Sequence, residues 1–185
     1  MFRIRFHGRG GQGMKRASRI LGSAFFAAGF EVQDAPRYGA ERRGAPIFAY
    51  VRAARETINE RGIIRRPDLV VVADDTLVPV PASGVLNGVG DNTVLLMNST
   101  EDARTWQERL NIRAPVVTLP ASADVEDRAE LPYIGAICAG AAARLVGVIS
   151  RDDLGGAIRD ELATLGREVV ERNLENAFAA WNLSL

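Results

Sequence analysis

The chain opens on a strict alternation: Phe2, Ile4 and Phe6 interleave with Arg3 and Arg5, the period-2 pattern of a strand with one apolar face. Its other face is expected to be wet or ion-paired. A helical period follows over residues 12–29, then "EVQ" as a short second strand, and "APIFAYVRA" with "RETIN" as a strand pair able to form a hairpin. The pattern then changes. "DLVVVAD", "NTVLLMN" and "APVVTLP" are short β-branched runs, apolar on both faces and closed by turn or capping residues, which is how buried parallel strands read. Residues 101–110 form a short polar helix between the last two. The final third reads as three helices, Leu131 to Ile149, Asp152 to Leu165 and Arg167 to Trp181. The stripe Leu174, Phe178, Trp181 has the spacing of helix core or of a subunit contact. Strands alternating with helices predict an α/β fold: a three-layer, Rossmann-like, mostly parallel sheet with a helical C-terminal third.

Composition narrows this picture. With 185 residues, 47% of them apolar, the chain can bury one core but hardly two, so residues 1–185 are expected to form a single domain. No apolar run is long enough to span a bilayer and "MFRIRFHG" has no apolar leader core, so a cytoplasmic protein is expected. Cys138 is the only cysteine, which excludes an internal disulfide and an iron–sulfur cluster held by this chain alone. Within "IGAICAGAAA" it reads as a small core residue.

A net charge of zero conceals an asymmetry. Residues 1–66 hold 14 Lys or Arg against 5 Asp or Glu, a net of +9; the remainder holds 9 against 18, a net of −9. A basic front third suits an anionic ligand or an acidic docking partner. Neither nucleic acid nor a membrane is the expected partner.

The chemistry-bearing stretch lies in that third. "HGRGGQG" places Gly8, Gly10 and Gly13 in the spacing G-x-G-x-x-G, with Gly11 inserted, between the first strand and the first helix. Backbone N–H groups of Gly10 to Gly13 would there face outward from a positive helix end, ready for a phosphate. Asp34, 21 residues past Gly13, stands where a dinucleotide fold keeps its ribose-binding carboxylate, so a free-standing NAD-binding module is one reading. Other residues pull away from it. Arg9 and Gln12 crowd the loop, Lys15 and Arg16 occupy the first helical turn against the dipole, and Arg37, Arg42 and Arg43 follow the second strand. Glu41 lies among these arginines. His7, the only histidine, reads as a structural donor that fixes the loop. Asp74 and Asp75 end a parallel strand, either near a ligand or as caps of the next turn. No residue is assigned a catalytic or metal-binding role.

Three ordered motifs, "HGRGGQG", "YGAERRGAPIFAYVR" and "RRPDLVVVADDTL", resemble the gamma subunit or domain of the 2-oxoacid:acceptor oxidoreductases, the pyruvate:ferredoxin oxidoreductase family. The likeness is strongest over residues 2–77. It implies a whole enzyme that oxidatively decarboxylates a 2-oxoacid and joins the acyl group to coenzyme A, passing electrons to ferredoxin or a similar acceptor. Thiamine diphosphate, Mg and iron–sulfur clusters are then implied on partner subunits of alpha, beta and delta type. The gamma chain is implied to cover the active site and to bind coenzyme A, with Gly8, Arg9, Gly10, Gly11, Gln12, Gly13, Arg42 and Arg43 as the candidate contacts. The alternatives are the NAD module and a purely structural subunit whose arginines only dock on partners.

Overall fold

A computed structural model describes residues 1–36, 44–120 and 133–183. The chain runs β1 (Phe2–Arg9), α1 (Met14–Ala27), β2 (Glu31–Pro36), β3 (Pro46–Ala54), β4 (Leu69–Val72), β5 (Val94–Ser99), α2 (Ala103–Leu110), β6 (Val116–Pro120), α3 (Ile134–Val146), α4 (Arg151–Leu162) and α5 (Arg167–Trp181). The six strands form one sheet in the order β2-β3-β1-β4-β5-β6. β1, β4, β5 and β6 pair in parallel, and β3 runs antiparallel to both of its neighbours. The sheet is therefore mostly parallel in direction, with one reversed strand inside it.

That reversed strand explains two departures from the sequence pattern. β3 pairs with β1 along one edge and with β2 along the other, so the hairpin forms backwards to β2; with both edges of β3 taken, residues 55–59, "RETIN", cannot pair with it and form no strand. β2 is also longer than "EVQ" because β3 supplies partners as far as Pro36.

Side-chain alternation sorts the sheet into two faces. On the first, Ile4, Phe6, Val71 and Leu96 pack with Leu21 and Phe25 of α1 and with the alanine-rich α3, behind which α4 and α5 close the layer. Close approach is built into that layer: a Cβ on Gly140 of α3 would lie 2.1 Å from the carbonyl oxygen of Ala177 in α5. Cys138 is fully buried here, as expected, and burial pushes its thiol pKa up to about 12. The stripe Leu174, Phe178, Trp181 packs on the same core.

On the second face, Val70, Val72, Leu95 and Met97 meet Trp106 of α2 and the turns at Leu77, Val78 and Val85. Arg5 and His7 belong to this face, opposite Val70 and Val72 in the register, at 4% and 3% exposure. The expectation of a wet or ion-paired face on β1 thus holds at its two ends, where Arg3 pairs with Glu60 at 2.5 Å and Arg9 with Asp74 at 2.8 Å, and fails between them. Residues 75–93 fold over the rest and bury it.

Candidate functional site

β1 ends at Arg9 and α1 begins at Met14, so the glycine loop leaves the carboxyl end of a central strand, the side on which open α/β sheets bind ligands. Its backbone is folded more tightly than the sequence suggests. The Gly10 N–H donates to the Ala45 carbonyl at 2.9 Å and the Gln12 N–H to the Arg9 carbonyl at 3.0 Å. Two of the four N–H groups expected to await an anion are therefore already bonded. Those of Gly11 and Gly13 meet no acceptor among the described residues. Both glycines have positive φ, 104° and 72°, a region that L side chains enter only with strain.

Glycine at position 8 has a packing cause. An added Cβ would come within 2.5 Å of the Met14 Cγ and 3.0 Å of the Gln12 Oε1. Gln12 is 2% exposed and braces the loop from within: its Oε1 accepts the Arg9 N–H at 2.8 Å. Arg9 turns away from the loop mouth. Its Nε donates to Asp74 Oδ2 at 2.8 Å, its Nη1 to the Gly44 carbonyl at 3.0 Å and its Nη2 to Thr76 Oγ1 at 2.8 Å. Asp74, 2% exposed, also caps the following 3-10 turn through the Thr76 N–H at 3.0 Å. Asp75 accepts from Ser99 Oγ at 2.6 Å. Of the residues proposed as ligand contacts, Arg9 and Gln12 thus shape the loop from within, and capping accounts for Asp74.

The structure adds a partner that sequence reasoning missed. The N-terminus of α3 abuts that of α1: a Cβ on Gly135 would lie 3.1 Å from the Gly13 carbonyl oxygen. The residues before the two helices, Gly13 and Tyr133, both have left-handed backbones, and neither helix has a side-chain cap. Two positive helix ends therefore converge. They border a cavity of about 220 Å³, with Gly11, Arg16 and Asn173 on its lining. The Arg16 guanidinium is exposed and has no partner among the described residues. Small-molecule sites usually exceed about 300 Å³, so this one fits an anionic group rather than a whole cofactor. The one available signal was Gly135 at the start of an Ala-rich helical stretch, where it is the second residue of α3.

Arg42, Arg43, Arg37 and Glu41 lie outside the described residues. The chain that follows them is stitched to the loop, since the Gly44 N–H donates to the Gly10 carbonyl at 3.2 Å and the Ala45 carbonyl accepts from Gly10.

Asp34 goes elsewhere. β3 stands between β1 and β2, so Asp34 is two strand spacings from the loop strand, about 9 to 10 Å, instead of one. It accepts from Ser18 Oγ at 3.0 Å, burial raises its pKa, and it lines a separate groove with Arg19, Asp160 and Glu161. The geometry that the NAD reading needed is absent.

Residues 3–183 match the family model described as pyruvate ferredoxin/flavodoxin oxidoreductase. The chain belongs to that family. It is 36% identical over 159 residues to a pyruvate synthase subunit PorC of Methanosarcina barkeri, covering 86% of this chain and 85% of that one. It is 32% identical to the pyruvate/ketoisovalerate oxidoreductases common subunit gamma of Pyrococcus furiosus, covering 98% and 96%. The pyruvate oxidoreductase subunit PORC of Thermotoga maritima superposes with a TM-score of 0.75 at 29% identity, over 97% of this chain and 94% of that one. A 2-oxoglutarate:ferredoxin oxidoreductase from Magnetococcus marinus shares the fold alone, with a TM-score of 0.67 at 18% identity, over 97% of this chain and 31% of that one. This family member is thus a gamma-type subunit of a 2-oxoacid:ferredoxin oxidoreductase. No helix among its described residues is long and apolar enough to cross a membrane.

Proposed function

We propose that this chain binds the phosphate end of coenzyme A for a cytoplasmic 2-oxoacid oxidoreductase and covers the active site of the complex. The observation that carries this reading is the convergence of two uncapped helix N-termini, those of α1 and α3, on one small cavity beside Arg16, which has no partner among the described residues. Coenzyme A has a diphosphate and a 3′-phosphate. Paired helix ends suit the former, because unbonded N–H groups and both dipoles favour negative charge there. The segment bearing Arg42 and Arg43 would reach the other phosphate, joined as it is to the loop through Gly44 and Ala45. The Magnetococcus marinus enzyme was solved with 2-oxoglutarate, coenzyme A and succinyl-CoA bound, in keeping with this reading.

In this assignment the chain's own groups bind and orient. Gly11 and Gly13 let the ligand approach the backbone, Gln12 and the Arg9–Asp74 pair hold the loop in shape, and Arg16 supplies charge. Thiamine diphosphate with Mg supplies the decarboxylation chemistry and iron–sulfur clusters the electron path. These are assigned to alpha-, beta- and delta-type partners, with ferredoxin or a similar protein as acceptor.

The test is a titration of the intact complex with coenzyme A and with dephospho-coenzyme A, using Gly13→Ala, Arg16→Ala, Arg42→Ala and Arg43→Ala. A lost charge-assisted phosphate bond costs about 1.5 to 3 kcal/mol, roughly tenfold to a hundredfold in affinity. Wild-type titration by all four variants would leave only the structural-subunit reading, in which the arginines hold partners and alanine lowers complex yield.

A further inference from the structure

The opposite face of β1 carries polar groups that take no part in the glycine loop. Arg5 and His7 border a cavity of about 430 Å³ whose lining includes Phe48, Tyr50, Arg65 and Ser83. Phe48 and Tyr50 are there because they lie opposite His7 and Arg5 in the β1–β3 register. No residue of this lining borders the cavity at the two helix ends.

Arg5 is a buried cation that meets no carboxylate among the described residues. Its Nη1 donates to the carbonyls of Asn87 at 2.6 Å and Ile64 at 3.4 Å, its Nη2 donates to that of Val85 at 2.7 Å, and its Nε has no partner among the described residues. Carbonyl dipoles satisfy hydrogen bonds but leave the net charge in place, and in a low dielectric that charge is costly. Burial accordingly lowers the Arg5 pKa.

His7 supplies the complementary deficit. Its Nδ1 lies 3.1 Å from the Ser83 carbonyl oxygen, and a carbonyl only accepts, so Nδ1 carries the proton. Burial and the neighbouring Arg5 push the imidazole pKa down to about 3, so the ring is neutral near pH 7 and Nε2 is a bare acceptor. That Nε2 is buried and has no partner among the described residues. The exposed Arg65 on the same lining has none among the described residues.

A water molecule can bridge a free donor and a free acceptor, but it brings no charge. We propose that this cavity binds a small oxyanion carrying its own hydrogen-bond donor, of the hydrogen-phosphate or 2-hydroxycarboxylate kind. Its charge faces Arg5 and Arg65, and its hydroxyl donates to His7 Nε2. A fully deprotonated oxyanion satisfies the arginines but not the imidazole. This site stands independently of the coenzyme A assignment, and either can fail alone.

Because His7 is the only histidine, the full-length chain labelled with 15N-histidine shows a single imidazole by NMR. Hydrogen phosphate and lactate are titrated near neutral pH at constant ionic strength. Sulfate serves as the oxyanion without a proton and glycerol as the donor without a charge. A saturable upfield movement of the Nε2 resonance with phosphate or lactate is expected, and whichever acts identifies the class of ligand. Arg65→Ser should raise the half-saturating concentration by up to about fivefold, the range of an exposed charge pair. The proposal is overturned if neither oxyanion gives a saturable change, or if sulfate or glycerol gives the same one.

Discussion

Acidification should destabilise this chain through one imidazole. The folded-state pKa of His7 is about 3, held down first by burial, then by the positive charge of Arg5, with the Ser83 hydrogen bond partly opposing them. In the unfolded chain it returns to about 6.5. Between those values the unfolded state binds the extra proton, so folding free energy falls by about 1.4 kcal/mol per pH unit as pH drops. The stabilisation is complete above about pH 6.5. By pH 5 about 2 kcal/mol has been lost, a sizeable part of a typical domain stability of about 5 to 15 kcal/mol. Asp34 works in the opposite sense, because a carboxyl whose folded pKa is raised favours the folded state on acidification. Urea denaturation at intervals between pH 7.5 and 4.5 separates the two when the wild type is compared with His7→Asn. The asparagine amide can donate to the Ser83 carbonyl in place of Nδ1, does not titrate, and leaves every carboxyl unchanged. The stability advantage of the wild type over the variant should shrink by about 2 kcal/mol from pH 7.5 to 5. An advantage that stays constant across this range would refute the assignment of His7 as a buried neutral imidazole.

Further outcomes test the loop and the helical layer. Asp74→Asn keeps an oxygen but removes the charge facing Arg9 Nε at 2.8 Å; it should cost about 2 kcal/mol in urea denaturation. Gly140→Ala drives a Cβ against the Ala177 carbonyl, so α3 and α5 must part, at a cost of about 1 to 3 kcal/mol and a lowered Tm. Gly156→Ala on α4 meets nothing within 4 Å and should leave Tm unchanged or raise it, by up to about 1 kcal/mol in stability. Cys138, fully buried with its thiol pKa at about 12, should resist Ellman's reagent in the native chain and react once urea unfolds it.

The local pattern of residues was enough to locate the five α-helices and six strands of the described residues, because hydrophobic periodicity is a short-range property. The β-branched runs around Leu69–Val72, Val94–Ser99 and Val116–Pro120 predicted parallel pairing, and they pair so. The glycine loop was legible for the same reason: its spacing lies within seven residues between a strand and a helix. The resemblance of three motifs to one oxidoreductase family was also a matter of sequence alone, and the family match over residues 3–183 bears it out.

Whatever depended on which distant segments meet was decided only by the tertiary structure. Nothing within β2 or β3 specifies that β3 inserts, reversed, between β1 and β2; packing and edge pairing select that order, and it carries Asp34 away from the loop. Arg5 and His7 alternate with apolar residues as exposed polar positions do, yet residues 75–93 cover them, and burial lowers the pKa of both. Arg9 sits among glycines as a ligand contact would, but Asp74, 65 residues away, claims it. Gly135, 122 residues beyond Gly13, becomes its neighbour because both helices pack on the same sheet face and only residues without a Cβ let their ends touch. Periodicity shows which side of an element is apolar; which groups finally face one another follows from how the whole chain closes its core.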